Sequence, residues 1–380
     1  METKKYRFDE VTINFDKKRI PLSSAQREKR QGTFRYYGAQ GVIGHVDDYI
    51  FDGTYLLIAE DGENLKSKKQ NIAQVVDGQF WVNNHAHIVQ GNEQCDTRFL
   101  CYLINSMDLS GYVTGSAQPK LSQANLNAVT LSLPTLAEQK RIVEYLYMFD
   151  QKIGVNRQIN DNLEHQAQAF FQELFVDNAD PEWAIGTISD LGAVVGGSTP
   201  SKAKPEYYTE TGIAWITPKD LSVNKSKFIS HGENDITELG LKNSSATIMP
   251  EGTVLFSSRA PIGYIAVTAG EVTTNQGFKS IVPKPKIGTA FVYYFLKHNL
   301  PIIEGMASGS TFKEVSGSTM KGVPAVIPDT DTIARFNDFC SPIFAQQRIL
   351  EEQNQSLAAL RDNLLPKLMS GEVDVSDIQL

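Results

Sequence analysis

The sequence predicts a mixed α/β protein in which two similar α/β domains are separated by an antiparallel two-helix coiled coil, the halves related by an approximate twofold axis. Three observations carry this prediction. An apolar seam of coiled-coil spacing runs from Leu136 to Leu174, a second seam repeats it 194 residues downstream, and each is preceded by a region of short strands and turns.

In the first seam Ile142, Leu146, Phe149, Ile153, Asn156, Asn160, Leu163, Ala167, Phe170 and Leu174 follow one another at alternating steps of four and three, and eight of the ten are apolar. Such steps return to one side of a helix and create a stripe that needs a partner. Adding 194 gives Phe336, Cys340, Ile343, Gln347, Leu350, Asn354, Leu357, Arg361, Leu364 and Leu368, seven of them apolar. The chain therefore contains its own partner helix. The same offset converts Gly115-Ser116 to Gly309-Ser310, Ser122 to Ser316, Val129 to Val323 and Pro134 to Pro328. A period this long is not a solenoid repeat; it marks a duplicated unit of domain plus helix. The boundaries that follow are a first domain at 1–133, a spacer helix at 134–178, a second domain at 179–328, and a second helix with the C-terminal tail at 329–380.

The helices contain breakers. Gly154 costs about 1 kcal/mol relative to alanine, whereas Pro342 and Pro366 lack a donor and crowd the preceding turn, so a kink or restart is expected at each. Asn160 and Asn354 occupy equivalent seam positions, where a buried amide fixes register, and are expected to lie close together. Only 176–181 joins the first helix to the second domain, and the second helix leaves that same domain, so the helices must run antiparallel along a spacer of about 55 Å. Residues Glu372-Val-Asp-Val375 would return to the first domain and add a strand to its sheet.

The two globular regions share a plan. Tyr55–Ile58 and Phe80–Val82 read as strands among glycine turns, followed by a helix near Thr97–Met107; Thr253–Phe256 and Phe291–Leu296 answer them in the second region. No run of eighteen apolar residues occurs, and the three cysteines (Cys95, Cys101, Cys340) show no CxxC spacing, so a soluble chain in a reducing cytoplasm, with no membrane partner, is expected. His85 and His87 alternate as in a strand, but no third ligand of suitable spacing accompanies them, and a structural role without a metal is expected. The titratable residues form no catalytic constellation.

The net charge of −8 opposes a polyanion partner until its distribution is considered. The acid surplus lies on the helical segments, and the globular parts are near neutral with basic clusters in loops. Duplex DNA has twofold-related backbones that a twofold pair of reading domains would suit, and the residues favoured as contacts to DNA are Arg30, Arg35, Lys66, Lys68 and Lys69 of these clusters with Tyr37 in the first domain, and Lys202, Lys204 and Lys219 with Thr199, Thr217 and Arg259 in the second. Lys120 and Lys313, beside the Gly-Ser turns, are further phosphate contacts. Arginine pairs bidentately with guanine, and lysine more often holds phosphate. Glu144, Gln151, Arg157 and Glu351 are the helix-flank positions expected to face partner proteins.

Several stretches also carry a family likeness. Arg19-Ile-Pro-Leu-Ser23, Phe34-Arg-Tyr-Tyr-Gly-Ala39, Gly41-Val-Ile-Gly44 and the segment from Asp52 to Gly62 resemble the first target-recognition domain of the specificity (S) subunits of type I restriction-modification systems. Gly197-Ser-Thr-Pro200, Ile213-Ala-Trp-Ile-Thr-Pro218 and Ser257-Ser-Arg259 resemble the second, while Leu133–Ile142 and Leu360–Gly371 resemble the spacer helices. The first domain lacks a Gly-Ser-Thr-Pro opening, so the two domains are expected to read different bases in an asymmetric bipartite site on double-stranded DNA. The resemblance implies a noncatalytic subunit that docks two modification (methyltransferase) subunits and recruits restriction (translocase-nuclease) subunits. S-adenosylmethionine, Mg²⁺ and ATP would be bound by those partners and none by this chain. In keeping with this, the sequence has no Gly-x-x-x-x-Gly-Lys-Ser/Thr loop and no Asn/Asp-Pro-Pro-aromatic motif. A coiled-coil scaffold carrying two protein- or glycan-binding domains shares these gross features and differs in lacking salt-dependent DNA affinity.

Overall fold

The structure is a computed structural model that describes residues 2–67, 70–115, 118–309 and 313–373. The chain divides into two units, one built from Met1–Lys152 with Ser356–Leu380, the other from Ile153–Gln355. Both long helices thus contribute to both units.

The first unit holds a six-stranded sheet in the order Thr12–Asn14, Ala86–Gly91, Phe51–Ala59, Ala73–Val82, Phe34–Gly38, Gly41–Val46. Its pairs are antiparallel except for Phe34–Gly38 against Ala73–Val82. The helix Thr97–Ser106, capped by the Asp96 carboxylate on the N–H groups of Arg98 and Phe99, buries Phe99, Leu100, Leu103 and Ile104 against that sheet. Separately, Lys4–Arg7 pairs antiparallel with Thr130–Leu133, the strand that leads into the first long helix.

The second unit repeats this connection: Ala184–Thr187 pairs antiparallel with Pro324–Ile327 just ahead of the second long helix. Its other strands form a five-stranded sheet, ordered Gly192–Gly196, Lys279–Pro283, Val254–Ser258, Ile262–Thr268, Phe228–Ile229, and a four-stranded sheet, ordered Tyr208–Thr209, Asn234–Ile236, Ile213–Ile216, Thr273–Thr274. The helix Thr289–His298 is apolar on most sides and is buried accordingly.

The duplication holds at the level of bonds. Ser122 and Ser316 both cap a short helix, accepting from Asn125 N–H at 3.2 Å and Thr319 N–H at 3.0 Å. Gly115 and Gly309 both have positive φ, and Val129 and Val323 are both fully buried.

The first long helix spans Leu136–Gln172 and ends in a π-helical turn, Glu173–Asp177. The second spans Thr330–Ser370 without interruption. Neither Pro342 nor Pro366 therefore restarts it, although each leaves its turn one backbone donor short. All twenty seam positions are buried or half-buried. In the second unit the helices are antiparallel: Asn156 meets Asn354, Asn160 meets the Gln347 carbonyl, and Phe170 stacks near Phe336. In the first unit Ile142, Leu146, Leu364, Leu365 and Leu368 share one core, and Arg361 pairs with Asp150.

Two further expectations need correction. Asn354 accepts from Asn156, 3.0 Å away, while Asn160 donates to the Gln347 carbonyl at 3.4 Å, because antiparallel helices place offset rather than equivalent residues opposite each other. Glu351 is not a free flank residue; its carboxylate turns inward to accept the N–H groups of Lys227 and Phe228 at 2.8 and 3.0 Å. Glu144, Gln151 and Arg157 are exposed. Of the expected C-terminal strand, Glu372 and Val373 form no strand, Val373 packs on the first unit's core, and Asp374-Val375 lie outside the described residues.

Candidate nucleic-acid interface

In the second unit the sequence-nominated residues converge. Thr199, Lys202, Thr217, Lys219 and Arg259 line one cleft of about 460 Å³, together with Trp215, Asp220, Asn275 and Gln276. Lys204 is not among its lining residues; its side chain lies 5.6 Å from the Tyr207 ring centre and 4.0 Å from Glu206.

The cleft is built by three loops held against one another. The Gly197-Ser-Thr-Pro200 loop comes so close to Thr274-Asn275 that a Cβ on Gly197 would lie 2.0 Å from the Asn275 carbonyl oxygen, so glycine is required there. The strand Ile213–Ile216 runs into the helix Pro218–Val223 through Thr217, whose N–H and hydroxyl both donate to Asp220, at 2.7 and 2.6 Å. Asp220 also accepts the Glu233 N–H at 2.9 Å, so this carboxylate is committed to the fold. The third loop is the turn Asn275–Gly277. Asn275 N–H donates to Ile216 O at 3.0 Å, Gly277 N–H donates to Asn275 Oδ1 at 2.8 Å, and the Gly277 carbonyl accepts from the N–H and hydroxyl of Ser258 at 2.7 and 3.1 Å.

The cations differ in their freedom. Lys219 pairs with Glu233 at 2.9 Å. Arg259 lies 3.5 Å from Glu314, a weak pair with 38% of its side chain exposed. Lys202 is exposed and has no ion pair among the described residues. Trp215 is buried, its indole N–H donating to Ser198 O at 3.0 Å. The two carboxylates of the lining, Asp220 and Glu233, are engaged by Thr217 and Lys219, and the remaining cations, hydroxyls and amides suit an anionic, hydrogen-bonding ligand. Asn275, Gln276 and Trp215 were missed by sequence reasoning; an Asn two positions ahead of Gly is the one available signal, that of an Asx turn.

The first unit disperses its nominees. Arg30 pairs with Asp47 at 2.8 Å and lies 4.8 Å from the Trp81 ring centre. Arg35 donates to the Asp77 carbonyl at 2.7 Å. Tyr37 is only 4% exposed, packed against Phe80, so it serves the core and not a DNA surface; its apolar neighbours on the sheet drew it in. Lys66 donates to Gly115 O at 2.8 Å, and Lys120 pairs with Glu60 at 3.2 Å. Lys68 and Lys69 lie outside the described residues. Lys313 is exposed, next to Glu314.

Equivalent loops carry opposite charges in the two units. Leu121 N–H donates to Glu60 O, and Val315 N–H, 194 residues on, donates to Ser258 O. Beside these bonds, Lys120 pairs with Glu60 in the first unit, whereas Glu314 pairs with Arg259 in the second.

The histidines do not act together. His85 pairs with Asp61 at 2.8 Å on the surface, while buried His87 bonds Asp16 at 2.7 Å and Leu121 O at 2.8 Å. Among the described residues no group of three His, Cys, Asp or Glu is placed to hold a metal.

Two segments, 2–165 and 181–360, match the family model of the type I restriction modification DNA specificity domain. The chain belongs to that family. One member, the MjaIX specificity subunit of Methanocaldococcus jannaschii, is 39% identical over 191 residues, which is 48% of this chain and only 44% of that relative. The HindI specificity subunit of Haemophilus influenzae is 24% identical across 85% of this chain and 84% of its own length. The fold is similar to the crystal structure of a type I restriction-modification S subunit from M. genitalium, with a TM-score of 0.54 at 16% identity, covering 97% and 96% of the two chains. The duplicated plan of this specificity protein is thus the family's own, and its two units are two specificity domains. No helix among its described residues is long and apolar enough to cross a membrane.

Proposed function

We propose that the chain reads an asymmetric bipartite site on double-stranded DNA, one half-site per unit, as the noncatalytic specificity subunit of a type I restriction-modification complex in the cytoplasm. The observation that carries this reading is the cleft of the second unit, where Thr199, Lys202, Thr217, Lys219 and Arg259 meet in a chain of the DNA specificity family. The reversal of charge from Lys120 to Glu314, its counterpart 194 residues on, supports different half-sites. Sequence-specific proteins use such mixtures, cations holding phosphates and amides or guanidinium groups reading base edges.

In this reading two methyltransferase subunits and the restriction subunits dock on exposed helix flanks such as Glu144, Gln151 and Arg157, and supply the S-adenosylmethionine, Mg²⁺ and ATP chemistry. The test is footprinting of the chain with its methyltransferase on duplex DNA, coupled to methylome sequencing of a host carrying both. The expected result is two protected segments around an unprotected gap of fixed length, with affinity falling steeply as salt rises. A single protected block, or affinity indifferent to salt, would exclude the proposal.

A further inference from the structure

We propose that Gln276 is a base-reading residue of the second unit and that its target is the major-groove edge of an adenine. The inference rests on the DNA reading above and goes beyond it by assigning a residue and a base.

Gln276 stands at the tip of a turn whose backbone is tied on both sides, to Ile216 by Asn275 N–H and to Ser258 through the Gly277 carbonyl. The side chain is exposed, faces the cleft, and receives a hydrogen bond on Oε1 from the Thr199 hydroxyl. That bond holds the amide in place at the cleft. One lone pair of Oε1 remains, and Nε2 has no partner among the described residues. A held amide offering one acceptor and one donor side by side matches adenine, which presents N6–H₂ as donor and N7 as acceptor in the major groove. It does not match guanine, whose N7 and O6 are both acceptors and call for Arg or Lys. Asn275 is less suited, since its Oδ1 is engaged by Gly277 N–H and it is half-buried. Lys202 on the same cleft supplies charge for a flanking phosphate.

The test is selection from a random duplex library by the full chain with its methyltransferase, sequenced for the parent, Gln276→Ala, Gln276→Glu and Thr199→Val. The parent should enrich a bipartite motif. Gln276→Ala should lose discrimination at one A·T pair of one half-site, roughly 10- to 100-fold, leaving the other half-site intact. Gln276→Glu should move preference at that pair toward cytosine, whose N4 amino group a carboxylate accepts. Thr199→Val should blunt the same position alone. Unchanged motifs in both Gln276 variants, uniform weakening on every sequence, or changes in both half-sites would overturn the assignment. A parent that enriches no motif would instead defeat the DNA reading itself, and is recognised without any variant.

Discussion

Asn156 donates from its amide to Asn354 Oδ1, 3.0 Å away, inside the helix pair of the second unit. Asn156 is fully buried, so this bond answers a polar group that water cannot reach. Replacing Asn354 by leucine should cost about 1–3 kcal/mol, the penalty of a stranded buried amide. The double variant Asn156→Leu with Asn354→Leu should recover that loss and loosen register, since a buried polar pair in a seam specifies alignment at the expense of stability. Chemical denaturation measures the first effect, and disulfide trapping of shifted registers the second.

Lys227 is 8% exposed and contacts Glu164 of the first long helix and, at 2.7 Å, Gln347 of the second. Burial pushes the Glu164 carboxyl up, but the charges and hydrogen bonds of Lys227 and Lys297 outweigh it and hold its pKa at about 2, below the ordinary 4.5. A depressed carboxylate contributes stability above its unfolded value and loses it as pH falls through the folded one. The second unit should therefore lose stability between about pH 4.5 and pH 2. Glu164→Gln should remove that pH dependence and cost about 3 kcal/mol at neutral pH by leaving Lys227 uncompensated. Denaturant melts across this pH range give both numbers.

Lys202 and Arg259 should separate by the kind of contact they make. Lys202→Ala is expected to weaken binding to all sequences alike and to reduce the salt slope by about one. Arg259→Ala should relax base preference in one half-site only, by about 1–3 kcal/mol. Binding isotherms on matched and mismatched duplexes at several salt concentrations distinguish these outcomes.

Inserting seven residues into each long helix, outside the buried Asn156 and Lys227 contacts, preserves the seam period and adds about 10 Å of helix. The gap between half-sites should lengthen by about three base pairs, at roughly 3.4 Å per pair. A gap of unchanged length would show that the helices do not set the spacing.

How much was legible depends on whether a signal was periodic or local. The seams were plain because every one of their twenty positions faces inward, and a 3.5-residue period survives single exceptions such as Gln347 and Arg361. Thr199 and Arg259 were legible as candidates because the Gly197-Ser-Thr-Pro200 and Ser257-Ser-Arg259 loops bear them, and Lys202, Lys204 and Lys219 because they cluster as local positive charge. Tyr37 was misplaced because two adjacent tyrosines, Tyr36 and Tyr37, point to opposite faces of a strand, and that both faces are covered is known only once the sheet's partners are. Glu351 was misplaced because the donors to its carboxylate, the N–H groups of Lys227 and Phe228, lie more than 120 residues away.

By itself the sequence determined the duplication, the helix pair and its antiparallel sense, since two seams at a fixed offset need each other and the short 176–181 connection sends the second helix back along the first. Only the tertiary structure decided which amides meet, that Pro342 is absorbed into a continuous helix, and that Gln276 joins Thr199, Thr217 and Arg259 in one cleft. The physical reason is that periodic burial is written locally along the chain, whereas a recognition surface is assembled from loops far apart in sequence whose approach is set by backbone hydrogen bonds and the absence of a single Cβ at Gly197.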